Sequence, residues 1–239
     1  MDAIPRPRML ALLVAATFVS YPLGLALRQP WLLPLLNTAP AYVVMLRLLR
    51  AGDRRGAVRG MLVWAAALAV FGTLAFRFWP TPVDGLVLNG PAYRDEMLRW
   101  IRTGVGAEGS PRLFLPQHVL HLAAFVLLSL LTASAASILM GAVLMNSMAF
   151  YVAALGRLGA PGWAVVLLGW QPWAICRVAA FCVLGAVLAE PLLVRLGPYP
   201  RRGSARPYLL GAAGGILADW LLKAALAPWW GLWLRRLLP

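Results

Sequence analysis

Long apolar stretches are the feature that most constrains the fold of this chain. A helix needs about 20 consecutive apolar residues to cross the hydrocarbon layer of a bilayer, and it satisfies its backbone hydrogen bonds without water. Several such stretches follow one another, separated by polar connections. We therefore predict an all-α transmembrane helix bundle with about seven spans, in a range of six to eight, at 9–27, 31–49, 61–79, 117–134, 138–156, 163–195 and 208–227.

The composition leads to the same class of protein. Of the 239 residues, 62% are hydrophobic and 13% are charged, whereas an ordinary soluble domain is about 45–50% apolar and about 25% charged. Too few polar residues are present to cover a soluble globule, so a soluble enzyme and a disordered tail are both excluded. We expect residues 1–239 to form a single integral-membrane domain.

The basic residues predict the orientation. The chain has a formal net charge of +14, from 21 arginines and one lysine against eight acidic residues. Cytoplasmic loops of membrane proteins gather arginine and lysine, and the most basic loop, 47–59, has five arginines and one aspartate. We therefore place this loop and the N-terminus in the cytoplasm, with the lipid bilayer and not nucleic acid as the partner. The high arginine and alanine content is typical of a GC-rich bacterial genome, so we expect a bacterial inner membrane.

Two further segments affect this topology. The apolar stretch 9–27 is longer than the apolar region of about 7–15 residues in a secretory signal peptide, so we interpret it as a retained first helix. Residues 80–116 form a long polar segment in which four arginines balance four acids. This neutral charge favours the outer side, and the apolar spacing predicts an interfacial amphipathic helix at 93–101.

The stretch 163–195 is compatible with two topologies. It is interrupted at Gln171 and Pro172 and contains Arg177 and Glu190. A single crossing by one long kinked helix places the following arginine-containing loop in the cytoplasm, whereas two re-entrant half-helices place it outside. The distribution of arginines favours the single crossing, which leaves the C-terminal tail outside.

Three charged residues, Arg177, Asp219 and Lys223, lie in apolar stretches away from their ends. Arg177 and Asp219 fall near the middle of spans that run in opposite directions, so we predict an ion pair near the bilayer midplane. Lys223 follows Asp219 by one helical turn and shares its face, so the carboxylate is available to both cations. Charge at membrane depth is costly. The group is therefore either a structural pair or a site for an ion, a proton or an anionic substrate.

The two histidines form a second candidate site. His118 and His121 are three residues apart at the start of the fourth span, which places them on one helical face at the outer surface. A metal site generally needs a third protein ligand, for which Asp95, Glu96 or Glu108 is available; the alternative is that the histidines cap the helix. Cys176 and Cys182 lack a CxxC spacing, so we assign no metal and no cofactor.

Three functions remain open. A permease, or a membrane-embedded subunit of a transport system without its own ATPase, fits the midplane charges and the proline-broken helices. A scaffold or regulator would hold a cytoplasmic protein subunit through the arginine-rich loops 47–59 and 195–207. An enzyme would act on a lipid-linked substrate at the outer face through His118 and His121, but the sequence has no GxSxG or HExxH motif and no phosphate-binding loop. We therefore rank the permease first and the enzyme third, and we assign no catalytic residue.

Overall fold

The structure, a computed structural model, describes residues 6–200 and 203–238. The protein is 84% helical, and no strand lies within the described ranges. Seven helices are long and apolar enough to cross a membrane, which confirms the predicted all-α class with about seven spans. The ten α-helices of the described ranges are α1 (Arg6–Ala26), α2 (Leu32–Arg50), α3 (Arg54–Phe78), α4 (Gly90–Thr103), α5 (Pro111–Thr132), α6 (Ala135–Arg157), α7 (Gly162–Gly169), α8 (Pro172–Leu188), α9 (Glu190–Leu196) and α10 (Arg206–Leu237).

One end of the bundle, the basic end, is formed by the turn between α2 and α3 and by the connection from α9 to α10. Gly52 ends α2 with a φ of 82°, and the Asp53 carboxylate then caps α3 by accepting from the Gly56 N–H. The sequence analysis placed a loop at 47–59, but the turn is short because this cap starts α3 at Arg54. Arg54 donates to both carboxylate oxygens of Glu190, at 2.7 and 2.8 Å, and so joins α3 to α9.

The opposite end, the α4 end, is covered by the polar segment between α3 and α5. In this segment α4 buries Met97, Trp100 and Ile101, the residues whose spacing predicted an amphipathic helix. These side chains pack in one cluster with residues of α6, α8 and α10. The segment therefore forms a cap on the bundle, and its apolar face is covered by protein.

Helix α6 is the most buried of the seven long helices, and a polar network attaches it to three others. Asn146 donates to Asn37 Oδ1 on α2 at 2.8 Å, and it accepts from the Tyr21 hydroxyl on α1 at 2.8 Å. Trp64 on α3 donates its indole N–H to the Asn37 carbonyl at 2.9 Å. Hydrogen bonds between side chains are a common means of holding helices together in an apolar layer.

The stretch 163–195 is divided into three helices. The span runs from Pro172 to Leu196 through α8 and α9, so the chain crosses the bundle once in this region. Helix α7 is separate because Gln171, which precedes a proline, adopts an extended conformation with ψ 142°. Trp230 on α10 donates to the Leu168 carbonyl at 2.9 Å and holds α7 at the α4 end. Helix α10 continues to Leu237, ten residues beyond the predicted end of the last span at 227, so the C-terminal tail extends this span.

Candidate functional site

A cavity of about 520 Å³ lies between α3, α4, α5, α6, α8 and α10. It extends from Asn89 and Tyr93 in the segment at the α4 end to Ser137 and Ile138 near the start of α6. Ligand cavities in proteins have volumes of about 300–1,000 Å³ and combine apolar walls with a few polar groups. The cavity has this composition, with a charged wall and an apolar wall.

The charged wall contains an arginine and a histidine from two helices, and both contact an aspartate on a third helix that does not itself line the cavity. Arg177 Nη1 donates to His118 Nε2 at 2.5 Å and lies 3.8 Å from Asp219 Oδ1. On the other side of the imidazole ring, His118 Nδ1 lies 3.2 Å from Asp219 Oδ2. Neither Asp219 oxygen accepts a hydrogen bond from any described residue, although the side chain is buried. The carboxylate is therefore held by the electrostatic attraction of its neighbours.

These contacts fix the tautomer of His118. An arginine guanidinium has only donors, so His118 Nε2 must accept with its lone pair. The ring proton then resides on Nδ1, which lies 3.2 Å from Asp219 Oδ2 and has no hydrogen-bond acceptor among the described residues. Because its Nε2 lone pair is already used by Arg177, His118 cannot accept a proton from a ligand while this contact is kept.

A second ion pair lies beside this group. Lys223 Nζ donates to Glu108 Oε1 at 2.9 Å, and the Trp173 indole N–H lies 3.3 Å from Glu108 Oε2. The Lys223 ammonium also lies 4.6 Å from the centroid of the Phe114 ring, within the range of a cation–π contact. Lys223 therefore has Glu108 as its ion-pair partner, rather than the Asp219 carboxylate that its position one helical turn after Asp219 predicts.

The apolar wall is formed by α5, α6 and α8. The rings of Phe125 and Phe181 stack with their centroids 4.6 Å apart, and Leu144 and Met145 line the cavity from α6. At the rim, Leu120 is 67% exposed. This part of the cavity is therefore open at the surface of the helix bundle, where a membrane protein contacts lipid.

The two candidate sites of the sequence analysis belong to one cavity. Arg177, Lys223, His118 and His121 all line it, and Asp219 contacts two of them. Arg177 is the sixth residue of α8, so the group lies nearer the α4 end than the predicted midplane position. The difference arises because α7 was counted as part of the span. No three histidine, cysteine or acidic residues of the described ranges lie close enough together to hold a metal ion.

Hydroxyl and thiol groups at the cavity are bonded to backbone carbonyls. Ser147 lies within hydrogen-bond distance of the Leu88 and Val143 carbonyls, and the Cys182 thiol lies 3.5 Å from the Met61 carbonyl. On α4, burial is the main cause that raises the pKa of the Tyr93 phenol, so this group remains a protonated donor at neutral pH. A nucleophile needs an adjacent base, and no described contact joins the Ser147 hydroxyl or the Cys182 thiol to a histidine.

The fold and the cavity define the class of this protein in general terms. The seven apolar helices are compatible with a multi-pass integral membrane protein, and Arg177, His118, Lys223 and Glu108 line one cavity between them. No protein-family model matches the chain, and no curated protein or solved structure is significantly similar to it.

Proposed function

We propose that this protein is a permease, or the membrane-embedded subunit of a transport system without its own ATPase, in a bacterial inner membrane. The observation that supports this proposal is one cavity that has an apolar wall and is also lined by Arg177, His118 and Lys223, the first two in contact with the buried Asp219. Charged groups within membrane helices are costly and commonly mark a pathway for a substrate or an ion. In this proposal the basic end and the N-terminus face the cytoplasm, and the bilayer is the surrounding partner.

The broken helix next to the cavity supports a transport function. Transporters commonly form their sites where a helix is interrupted. Here the chain is extended at Trp170 and Gln171, between α7 and α8. Trp173, two residues further on, contacts Glu108, the partner of Lys223. A movement at this break would therefore reach the charged wall directly.

The other two functions have weaker support. For an enzyme, His118 uses its basic nitrogen to accept from Arg177, and the hydroxyl and thiol groups at the cavity have carbonyl partners. For a regulator, Arg47, Arg50, Arg55 and Arg59 are exposed at the basic end. These arginines suit a protein partner subunit, but the same residues are needed to orient any membrane protein.

A labelling experiment tests the permease without knowledge of its substrate. A transporter exposes its central cavity alternately to the two sides of the membrane. Gly141 lines the cavity, and a Cβ atom there would meet nothing within 4 Å. Gly141→Cys, in a chain with Cys176 and Cys182 replaced by alanine, is treated in sealed membrane vesicles of both orientations with a membrane-impermeant thiol reagent. We expect modification from both sides.

Two matched variants calibrate this experiment. Gly85 lies in the segment at the α4 end and Gly197 lies at the end of α9, and both positions have open space for a Cβ atom. Gly85→Cys and Gly197→Cys should each react from one side only, and these two sides should be opposite. Reaction of Gly141→Cys from the Gly85 side alone would contradict a transport function.

A further inference from the structure

We propose that the ligand of the cavity is an anionic amphiphile, with its anionic group at Arg177 and its hydrocarbon chain against the wall formed by Phe125, Phe181 and Leu144. This inference rests on the proposed function, because it names the substrate class of the same cavity. It follows from three observations: N–H donors of Arg177 that make no described hydrogen bond, the pairing of Lys223 with Glu108, and an apolar wall in the same cavity.

The Arg177 guanidinium has donors available to a ligand. A guanidinium has five N–H donors, and in the described part of the protein Arg177 makes one hydrogen bond, from Nη1 to His118 Nε2. Its side chain is 23% exposed, whereas that of Asp219 is 1% exposed. A ligand in the cavity therefore meets the cation and not the buried carboxylate. A carboxylate or phosphate group accepts from a guanidinium in bidentate geometry.

The neighbouring charges leave this role to Arg177. Lys223 and Glu108 form a pair with each other, and Trp173 contacts the second carboxylate oxygen of Glu108. Glu96 also lines the cavity, but it belongs to α4 at the end cap. An anionic group at Arg177 shares this cation with the buried Asp219, whose Oδ1 lies 3.8 Å from Arg177 Nη1, and it is repelled from Glu96, which places it on the α8 side of the cavity.

The apolar wall selects for a ligand with a chain. It contains the stacked Phe125 and Phe181 rings together with Leu144, which is next to open space at Gly141. Leu120, which is exposed, also lines the cavity. Burial of a hydrocarbon chain against this wall is favourable because it removes apolar surface from water. A small inorganic anion would leave this wall unused, whereas a lipid with an anionic headgroup would contact both walls at once.

Lipid binding to the purified full-length protein in detergent tests the inference. Native mass spectrometry counts bound phosphatidylglycerol, and diacylglycerol serves as the probe without a charge. We expect one retained phosphatidylglycerol per chain and no retained diacylglycerol. Arg177→Gln should weaken retention at least about tenfold, as expected for the loss of charge-assisted hydrogen bonds. Arg99→Gln, at an exposed position of α4 outside the cavity, is the matched control and should bind as the wild type does.

A second variant keeps the test independent of any effect of Arg177 on folding. Gly141→Leu places a side chain at the apolar wall and leaves every charged residue in place. Gly211→Leu on α10 is its matched control, because Gly211 also has open space but does not line the cavity. We expect phosphatidylglycerol to be lost from Gly141→Leu only. Equal retention by Arg177→Gln, Gly141→Leu and the wild type would overturn the inference, as would equal retention of diacylglycerol.

Glycerol phosphate distinguishes a lipid from a free anion. If glycerol phosphate displaces phosphatidylglycerol at equal concentration, the cavity recognises a water-soluble phosphate, and the proposal of an amphiphilic ligand is wrong. The outcome is also separable from that of the labelling experiment. Lipid retention together with one-sided labelling of Gly141→Cys would support the ligand class and contradict the transport function. Two-sided labelling without lipid retention would support the transport function and contradict the ligand class.

Discussion

Lys223 Nζ and Glu108 Oε1 lie 2.9 Å apart, although 115 residues separate them in the sequence. The lysine side chain is 1% exposed and the glutamate side chain 11%. The pair connects the last long helix to the segment at the α4 end, and it forms part of the charged wall. Its geometry links the stability of the fold to the shape of the cavity.

We predict that breaking this pair destabilises the protein strongly. Lys223→Met leaves the Glu108 carboxylate buried without its cation, and removal of one partner from a buried pair costs about 3–5 kcal/mol. The double variant Lys223→Met/Glu108→Gln should recover much of the loss, because an amide is cheaper to bury than a charge. Thermal unfolding in detergent measures the stability of the wild type, of Lys223→Met and of the double variant. A double variant no more stable than Lys223→Met would contradict the account.

We predict unequal effects at Arg177 and Asp219. Arg177 has access to the cavity, whereas Asp219 is buried and accepts no hydrogen bond from the described residues. Arg177→Gln therefore leaves a buried anion without its cation and should lower the melting temperature more than Asp219→Asn does. The double variant should be more stable than Arg177→Gln alone. Equal effects of the two single variants would show that both groups are equally well solvated.

We predict that Gly72→Ala is destabilising. An added Cβ atom would lie 2.6 Å from the Tyr21 hydroxyl oxygen and 3.0 Å from the Ala149 Cβ atom. Alanine in place of glycine within an open helix position is favourable by about 1 kcal/mol, so Gly214→Ala, which has open space, should stabilise the protein slightly. Tyr21→Phe should relieve part of the clash in Gly72→Ala. Melting curves of Gly72→Ala, Gly214→Ala and Gly72→Ala/Tyr21→Phe test this, and a neutral Gly72→Ala would show that α1 and α3 are less closely packed.

We predict that Arg54→Lys loosens the basic end. Arg54 uses Nε and Nη2 for Glu190, and Nη1 lies 3.0 and 3.1 Å from the Gly203 and Ser204 carbonyls. A lysine ammonium cannot reproduce this planar fork. Amide hydrogen exchange should increase in α9 and at the start of α10, with no change in α4. Unchanged exchange in α9 would indicate that the lysine charge is sufficient.

The apolar stretches were enough to predict the helical class, because a membrane span is a local property of about 20 residues. The same local signal placed Met97, Trp100 and Ile101 on one face of a helix, and this face is buried. The start of α3 was harder to predict. Its three arginines were assigned to a loop, and the Asp53 cap that includes them in the helix depends on a turn of only three residues.

Most of the site could not be predicted, because its contacts join distant parts of the chain. Depth along the spans suggested that Arg177 and Asp219 are near each other, and their separation is 3.8 Å. The same argument places His118 at the outer surface. It fails because the sequence does not show where α5 and α8 begin, and so does not show that His118 lies level with Arg177. Glu108 had no sequence signal that linked it to Lys223. Its position depends on how the α4 segment folds over the bundle, which is a tertiary property.

The most direct measurement of the central claim is the rate at which a thiol reagent modifies Gly141→Cys in detergent, with and without phosphatidylglycerol. We predict that phosphatidylglycerol slows the modification of Gly141→Cys and that diacylglycerol does not. The effect of phosphatidylglycerol should disappear when Arg177→Gln is added. Such a result would show that the apolar wall at Gly141 and the charged wall at Arg177 bind one ligand together. A modification rate that is the same with and without phosphatidylglycerol would contradict the account.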